Sequence, residues 1–331
     1  MNVAIIGAGS WGTALAIVLG PRFDRIRLWA HEADLVERMC STRVNDVFLP
    51  GFSLPLNVEP TADLGYALAD AGIVVGVMPS RFARPLYRQM LPYLETEMRF
   101  VSATKGLEQG TLLRMSEVAR EVIAEKFEPR VAVLSGPTFA REVARGEPTA
   151  LVIASPDREL AASIQREFSG PTFRLYANDD PVGVELGAAL KNVIAIGAGV
   201  CDGLGLGSNT MAALITRGLA EITRLAIALG GRPGTLSGLA GLGDLVLTCN
   251  GDLSRNRTVG IELAKGRKLE DITSSMTMIA EGVETTAAAC DLARKCQVDM
   301  PITEQMNAIL KGRTSPRNAI RELMERELKT E

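Results

Sequence analysis

Lys191 is the only cation in the run Val184-Glu185-Leu186-Gly187-Ala188-Ala189-Leu190-Lys191-Asn192-Val193-Ile194-Ala195-Ile196, which is otherwise mostly small and apolar and has helical spacing. Burying an ammonium is costly, and burial or a nearby cation would pull its pKa down toward the range useful for proton transfer. The bland alternative is a lysine that snorkels to solvent or pairs with a carboxylate such as Glu185. A second lysine, in Ser102-Ala103-Thr104-Lys105-Gly106-Leu107, directly follows an apolar strand pattern. That places it at the carboxyl edge of a sheet, where open α/β folds bind ligands, although alone it could be a loop charge. Ser135-Gly136-Pro137-Thr138-Phe139-Ala140 follows the next strand pattern and offers backbone N–H groups and a hydroxyl on the same edge, or is simple turn chemistry. Farther on, Gly241-Leu242-Gly243-Asp244-Leu245 adds a carboxylate, and Ser254-Arg255-Asn256 combines a planar cationic fork with two neutral donors. Such a cluster suits a phosphate monoester; otherwise it is a helix cap with solvated arginines.

A further constellation lies at the start of the chain. Gly7-Ala8-Gly9-Ser10-Trp11-Gly12 matches GxGxxG, follows the strand pattern Asn2–Ile6 at once and opens a helical run from Thr13 to Leu19. In that context Gly7 permits the tight turn, Gly9 the close approach of backbone to a diphosphate, and Gly12 the packing of helix on strand. The helix start then offers free N–H groups and the positive end of a dipole. The expected cofactor is NAD or NADP. An NAD-selective pocket needs a carboxylate closing the second strand, but that strand ends Leu28-Trp29-Ala30-His31, with Glu32 one step later. The reading therefore leans to NADP(H), with NAD(H) also accepted, and His31 is placed at the adenosine end or in a plain surface loop.

These residues need elements to hold them. Up to about residue 178, β-branched runs alternate with helical patterns, giving candidate strands at Asn2–Ile6, Arg25–Trp29, Ile73–Val77, Phe100–Ala103, Val131–Leu134, Leu151–Ala154 and Phe173–Tyr176. Beyond Asn178-Asp179-Asp180-Pro181 the strand signal stops, and helical patterns such as Ala212–Leu229, Glu284–Lys295 and Ile302–Lys311 follow one another. The expected architecture is α/β: a largely parallel, Rossmann-type doubly wound sheet over residues 1–178 that binds the dinucleotide, then an all-helical substrate domain over 179–331.

Composition removes several classes of function. A formal charge of −3 over 331 residues supplies no field for nucleic acid or an anionic membrane. The single histidine, His31, rules out a histidine-rich metal site, and the acid/base histidine of lactate- or malate-type dehydrogenases has no counterpart. Five cysteines without a CxxC pair signal neither a disulfide framework nor zinc, so no metal is expected. The N-terminus reads as a strand and lacks a secretory pattern, which points to the cytoplasm. The apolar stretch Leu186–Val200 contains Lys191 and Asn192 and is shorter than a membrane span, so it is expected as a buried helix.

Eight ordered blocks complete the pattern: Gly7–Ala16, Asn45–Gly51, Ala103–Leu107, Leu134–Ala140, Ala189–Val193, Leu214–Leu219, Gly241–Leu245 and Ser254–Asn256. Together they resemble the bacterial NAD(P)-dependent glycerol-3-phosphate dehydrogenase family over nearly the whole chain. Phe48 stands where tyrosine is common, and Met78-Pro79-Ser80 where Val-Pro-Ser is usual. The resemblance implies that Lys191 is the proton acceptor and donor, and that Lys105, Gly136, Thr138, Lys191, Asp244, Ser254, Arg255 and Asn256 contact the substrate, glycerol 3-phosphate or dihydroxyacetone phosphate. It places Ser10, Trp11, His31, Lys105, Ala140, Arg255, Ile279 and Glu281 at the dinucleotide, beside Gly7, Gly9 and Gly12. It also implies a homodimer supplying glycerol 3-phosphate for phospholipid synthesis. Two rivals are another two-domain dehydrogenase of the 3-hydroxyacid or 6-phosphogluconate type and a catalytically silent dinucleotide sensor. Ser254-Arg255-Asn256 argues against the first, and Lys191 in its apolar helix against the second.

Overall fold

The computed structural model describes residues 1–276 and 278–328; the last three residues of the expected second domain, 329–331, lie outside the described residues. The chain forms two compact units, one of residues 1–105 and 113–184, the other of 106–112 and 185–331.

The first unit runs β1 (Asn2–Ile6), α1 (Ser10–Leu19), β2 (Arg25–Trp29), α2 (Ala33–Thr42), β3 (Val58–Thr61), α3 (Leu64–Leu68), β4 (Ala71–Gly76), α4 (Ala83–Met90), β5 (Arg99–Ser102), α5 (Met115–Ile123), β6 (Arg130–Ser135), α6 (Ala140–Arg145), β7 (Thr149–Ala154), α7 (Arg158–Phe168) and β8 (Phe173–Asn178). Its eight strands form one sheet in the order β3-β2-β1-β4-β5-β6-β7-β8. The first six are parallel; β7 pairs antiparallel with β6, and β8 runs parallel to β7. The expected parallel sheet therefore reverses at its far end. Both faces are covered, as continuous apolar strands require: Val3, Ile5, Ile73 and Val75 pack with Leu15, Ile164 and Phe168 on one side. Their alternates Ala4, Ile6 and Val74 pack with Leu86, Met90, Val118 and Val122 on the other.

β3 is absent from the strands expected from sequence. Its four residues, Val58-Glu59-Pro60-Thr61, include a proline and a glutamate that hide a strand pattern, and both are tolerated because β3 is an edge with only β2 as neighbour.

The second unit continues with α8 (Pro181–Gly203), α9 (Ser208–Ala228), α10 (Pro233–Leu236), α11 (Asp244–Asn250), α12 (Arg255–Ala264), α13 (Leu269–Ser274), α14 (Glu281–Lys295), α15 (Pro301–Leu310) and α16 (Pro316–Met324). Among the described residues no strand follows Asn178. Asp180 starts α8: its carboxylate accepts from Gly183 N at 2.8 Å and its carbonyl from Val184 N at 3.3 Å. Sequence underestimated α8, which has 23 residues and is long and apolar enough to cross a membrane by length and composition. Its apolar window is wholly buried in protein, because other helices wrap it. One contact fixes the arrangement near the candidate site: a Cβ on Gly260 would fall 2.0 Å from Ile196 O, and one on Gly199 would fall 1.9 Å from Arg257 O. α12 thus crosses α8 backbone to backbone, a spacing no side chain would allow. Val193, Ile196 and Val200 complete this core with Val259, Leu263, Ile272, Met306 and Ile309.

Candidate active site

Because β1, β4, β5 and β6 are parallel neighbours, their carboxyl ends share one sheet edge. The strand order also makes the β1–β4 junction the point where the winding reverses, the usual ligand position in this class of sheet. Gly7–Gly12 leaves β1 there. Gly7 has φ +122°, and a Cβ on Gly12 would lie 1.9 Å from Gly7 O, so the turn closes only with glycine at its two ends. Gly9 caps α1 with no side-chain hydrogen bond, no acidic residue stands in the first turn, and nothing lies within 4 Å of where its Cβ would be. The helix start therefore keeps N–H donors and open space before it, which fits a diphosphate. Trp11 adds a buried indole Nε1 without a hydrogen-bond partner. The Ser10 hydroxyl donates to Phe48 O at 2.7 Å.

After β5, Lys105 Nζ donates to Gly136 O at 3.2 Å and Thr138 Oγ1 at 3.4 Å, and Thr138 Oγ1 donates to Gly136 O at 3.2 Å. The loops after two adjacent strands thus bring Lys105 to Gly136 and Thr138, 31 and 33 residues farther on. Ala140 opens α6, and His31 is exposed after β2, tilted against Trp29 with ring centroids 6.2 Å apart.

In the second unit Lys191 is 5% exposed on α8 and Asp244, the first residue of α11, is fully buried. Lys191 Nζ donates to Asp244 Oδ1 and, at 2.8 Å, to Thr248 Oγ1. The Thr248 hydroxyl in turn donates to Asp244 O at 2.6 Å. The sequence pointed to burial or a nearby cation, or to a carboxylate partner such as Glu185; the structure supplies burial and the Asp244 carboxylate, which act in opposite senses on the ammonium. One turn of π-helix over Leu239–Gly243, with Gly243 N donating to Gly238 O, delivers Asp244 to that position.

The phosphate candidates lie at the start of α12. Ser254 is the N-cap, and its Oγ accepts from Arg257 N at 3.3 Å. Asn256 is committed inward: Nδ2 donates to Asn192 Oδ1 at 3.0 Å and Oδ1 accepts from Gly282 N at 2.9 Å. It retains one amide hydrogen and its backbone N–H for a ligand. Arg255 is exposed, donates to Ile279 O at 2.7 Å and feels the Glu281 carboxylate, so three positions assigned to the dinucleotide are neighbours here. Arg257, with Nε on Asp202 at 2.6 Å and a second bond to Asp252 at 3.0 Å, ties this turn to the end of α8.

Sequence reading missed two members of this cluster, Thr248 and Asn192. Thr248 falls four residues after Asp244 on one helix face, a spacing that could have marked it. Asn192 follows Lys191 directly, but only the packing of α12 and α14 reveals its partner. No group of three metal-ligating side chains occurs among the described residues.

Comparison with known proteins identifies the family. Residues 2–161 match the model of the NAD-dependent glycerol-3-phosphate dehydrogenase N-terminus, and residues 180–321 that of its C-terminus. A glycerol-3-phosphate dehydrogenase, NAD(P)+-dependent, of Koribacter versatilis is 61% identical over 332 residues, covering 100% of this chain and 98% of that protein. Its counterpart in Syntrophotalea carbinolica is 54% identical, covering 100% and 99%. The crystal structure of glycerol-3-phosphate dehydrogenase from Coxiella burnetii superposes with a TM-score of 0.92 at 41% identity, covering 98% of this chain and 99% of that one.

Proposed function

Because the chain belongs to the NAD-dependent glycerol-3-phosphate dehydrogenase family, we propose that it interconverts dihydroxyacetone phosphate and sn-glycerol 3-phosphate, with residues 1–178 holding the dinucleotide and 179–331 the substrate. The nicotinamide, when bound, supplies or accepts the hydride at C2 of the triose. Lys191 gives a proton to the oxygen on that carbon in reduction and removes it in oxidation. The observation that carries this reading is the buried Lys191–Asp244–Thr248 cluster: carboxylate and hydroxyl hold the ammonium in one place, as proton transfer demands. Lys105 stabilises the developing alkoxide, while Ser254, Arg255 and Asn256 hold the phosphate through a helix start, a cationic fork and an amide. Gly136 and Thr138 position Lys105 and line the same substrate.

Gly7, Gly9, Ser10, Trp11 and Gly12 hold the diphosphate; His31 lies at the adenosine, and Ala140, Ile279 and Glu281 complete the dinucleotide contacts. NADP(H) is the favoured cofactor, with NAD(H) accepted. The enzyme works as a cytoplasmic homodimer, not inserted in a membrane, and feeds glycerophospholipid synthesis. Following nicotinamide absorbance with dihydroxyacetone phosphate, using NADH and NADPH in parallel, tests the reading. No oxidation of either cofactor, against turnover with a 3-hydroxyacid or a sugar-acid phosphate, would overturn it.

A further inference from the structure

We propose that Asn45 is a positioning residue for the dinucleotide, acting through the orientation of the Ala8–Gly9 peptide; this rests on Gly7–Gly12 being the diphosphate loop. Asn45 touches none of the dinucleotide positions named above with its own exposed surface, because it has none: it is 0% exposed. Its Nδ2 donates to Ala8 O at 2.8 Å and to Thr13 Oγ1 at 2.9 Å, and its Oδ1 accepts from Phe48 N at 2.9 Å. Thr13, also fully buried, sends its hydroxyl to the same Ala8 oxygen at 3.3 Å. Both amide hydrogens are thereby used, and the Ala8 carbonyl is held by two donors. The segment that carries Asn45 is fastened a second time by Ser10 Oγ on Phe48 O at 2.7 Å.

The consequence follows from the peptide bond. No peptide in the described chain is cis, so the Ala8 C=O and the Gly9 N–H point in opposite directions. Holding the oxygen inward on Asn45 and Thr13 turns the Gly9 N–H away from the core, at the helix start that an anion would approach. Gly9, on the far side of this peptide, lets it rotate more readily than another residue would unless something restrains it. A rotated peptide would show the diphosphate an oxygen in place of a donor. The Asn45 amide removes that alternative, which gives the block Asn45–Gly51 a role that direct ligand contact does not.

Calorimetric titration with NADPH and NADH, on protein verified as folded by circular dichroism, tests the assignment. Asn45→Ala should weaken dinucleotide binding roughly tenfold, the order expected when, of its three buried hydrogen bonds, the one that orients the Ala8–Gly9 peptide is lost. The Michaelis constant for dihydroxyacetone phosphate and kcat at saturating dinucleotide should stay within about twofold, a split that general loosening of the unit would not give. Thr13→Val should weaken binding by a smaller factor, and Thr13→Ser, which keeps the hydroxyl, should restore it. Unchanged dinucleotide affinity in Asn45→Ala, or an equal loss for both substrates, would overturn the proposal. If Asn45→Ala does not fold, equal affinities in Thr13→Val and Thr13→Ser would do so. Gly9→Val separates this from the premise, since open space faces that position. Wild-type affinity in Gly9→Val would mean the loop does not hold the diphosphate. Lost affinity there, beside wild-type binding in the Asn45 and Thr13 variants, would leave the loop assignment standing and refute the role of Asn45.

Discussion

The glycine loop after β1 and the lysine cluster on α8 and α11 are built from opposite materials. In the loop the groups proposed to face the diphosphate are backbone N–H donors, and side chains such as Asn45, Thr13 and Ser10 hydrogen-bond to nearby backbone and to one another. In the cluster the working groups are side-chain atoms, with an ammonium, a carboxylate and a hydroxyl in mutual contact on two helices. A backbone site tolerates the loss of any one exposed side chain; a site made of three buried polar side chains does not. Truncations should therefore do far more damage in the lysine cluster than at the exposed rim of the dinucleotide region.

The largest effect belongs to Lys191→Ala. Removing the proton carrier should lower kcat by about 10²–10⁴-fold while dinucleotide affinity stays near wild type. Single-turnover kinetics and titration of the same preparation would check both halves. More than about a tenth of wild-type kcat remaining would take the proton from Lys191 and end the contrast with the loop. Asp244 then becomes the informative companion. Asp244→Asn removes the carboxylate that Lys191 Nζ donates to, and breaking a buried pair from one side typically costs about 3–5 kcal/mol. That variant should lose stability in urea, and so should Lys191→Met, which takes the ammonium away from the fully buried Asp244 carboxylate.

This difference in construction also explains how much was legible in the sequence. A backbone site announces itself through the residues that make the backbone possible, and Gly7, Gly9 and Gly12 were legible because their spacing is the geometry. The strands of the sheet were legible for the same local reason, apart from β3, where Pro60 and Glu59 conceal an edge strand. Lys191 was legible as an anomaly in an apolar run, but its electrostatic partner was not. Asp244 is 53 residues away, and only the π-turn and the close crossing of helices bring it to the ammonium. Asn256 was read as a substrate donor from its place beside Arg255, with no hint that Asn192 and Gly282 already hold its amide.

Arg255→Ala should have the next effect. A charge-assisted contact to phosphate is worth about 1.5–3 kcal/mol, so the Michaelis constant for dihydroxyacetone phosphate should rise by roughly ten- to a hundredfold. Turnover of unphosphorylated dihydroxyacetone should barely change. If the preference for the phosphorylated substrate survives, the phosphate is held elsewhere and the α12 start loses its assigned role.

The helical unit should also carry a pH dependence. Glu221 on α9 is 1% exposed and accepts from Ile302 N at 2.7 Å, Thr303 N at 3.2 Å and Thr303 Oγ1 at 3.1 Å, so one carboxyl caps α15. Burial pushes it up from 4.5 to about 7, against the pull of those donors and of Arg224. Between those two values the folded protein holds a proton that the unfolded chain has released, so stability should fall as pH rises through the window. The slope from one group cannot exceed about 1.4 kcal/mol per pH unit. Urea unfolding at pH 5, 6 and 7 should give a flatter profile for Glu221→Gln than for wild type. Parallel profiles would mean that Glu221 is ionised throughout.

The smallest effect is expected at His31, and it tests the other side of the contrast. His31 is exposed and rests on Trp29, while Glu32, at the N-cap of α2, makes no capping bond with its side chain. If the adenosine end lies here as proposed, the two side chains act in opposite ways: the imidazole would donate to a 2′-phosphate, whereas the carboxylate would accept ribose hydroxyls and repel the phosphate. An interaction with so exposed a group is worth no more than about 1 kcal/mol. His31→Ala should thus reduce kcat/KM for NADPH by a factor of about two to five and leave that for NADH nearly unchanged. A wild type that strongly prefers NADH, unaltered by the substitution, would show that Glu32 governs the pocket. A loss near a hundredfold would show something larger: that dinucleotide binding depends on a side chain at its rim, and that the loop is not the backbone-built site its hydrogen bonds describe.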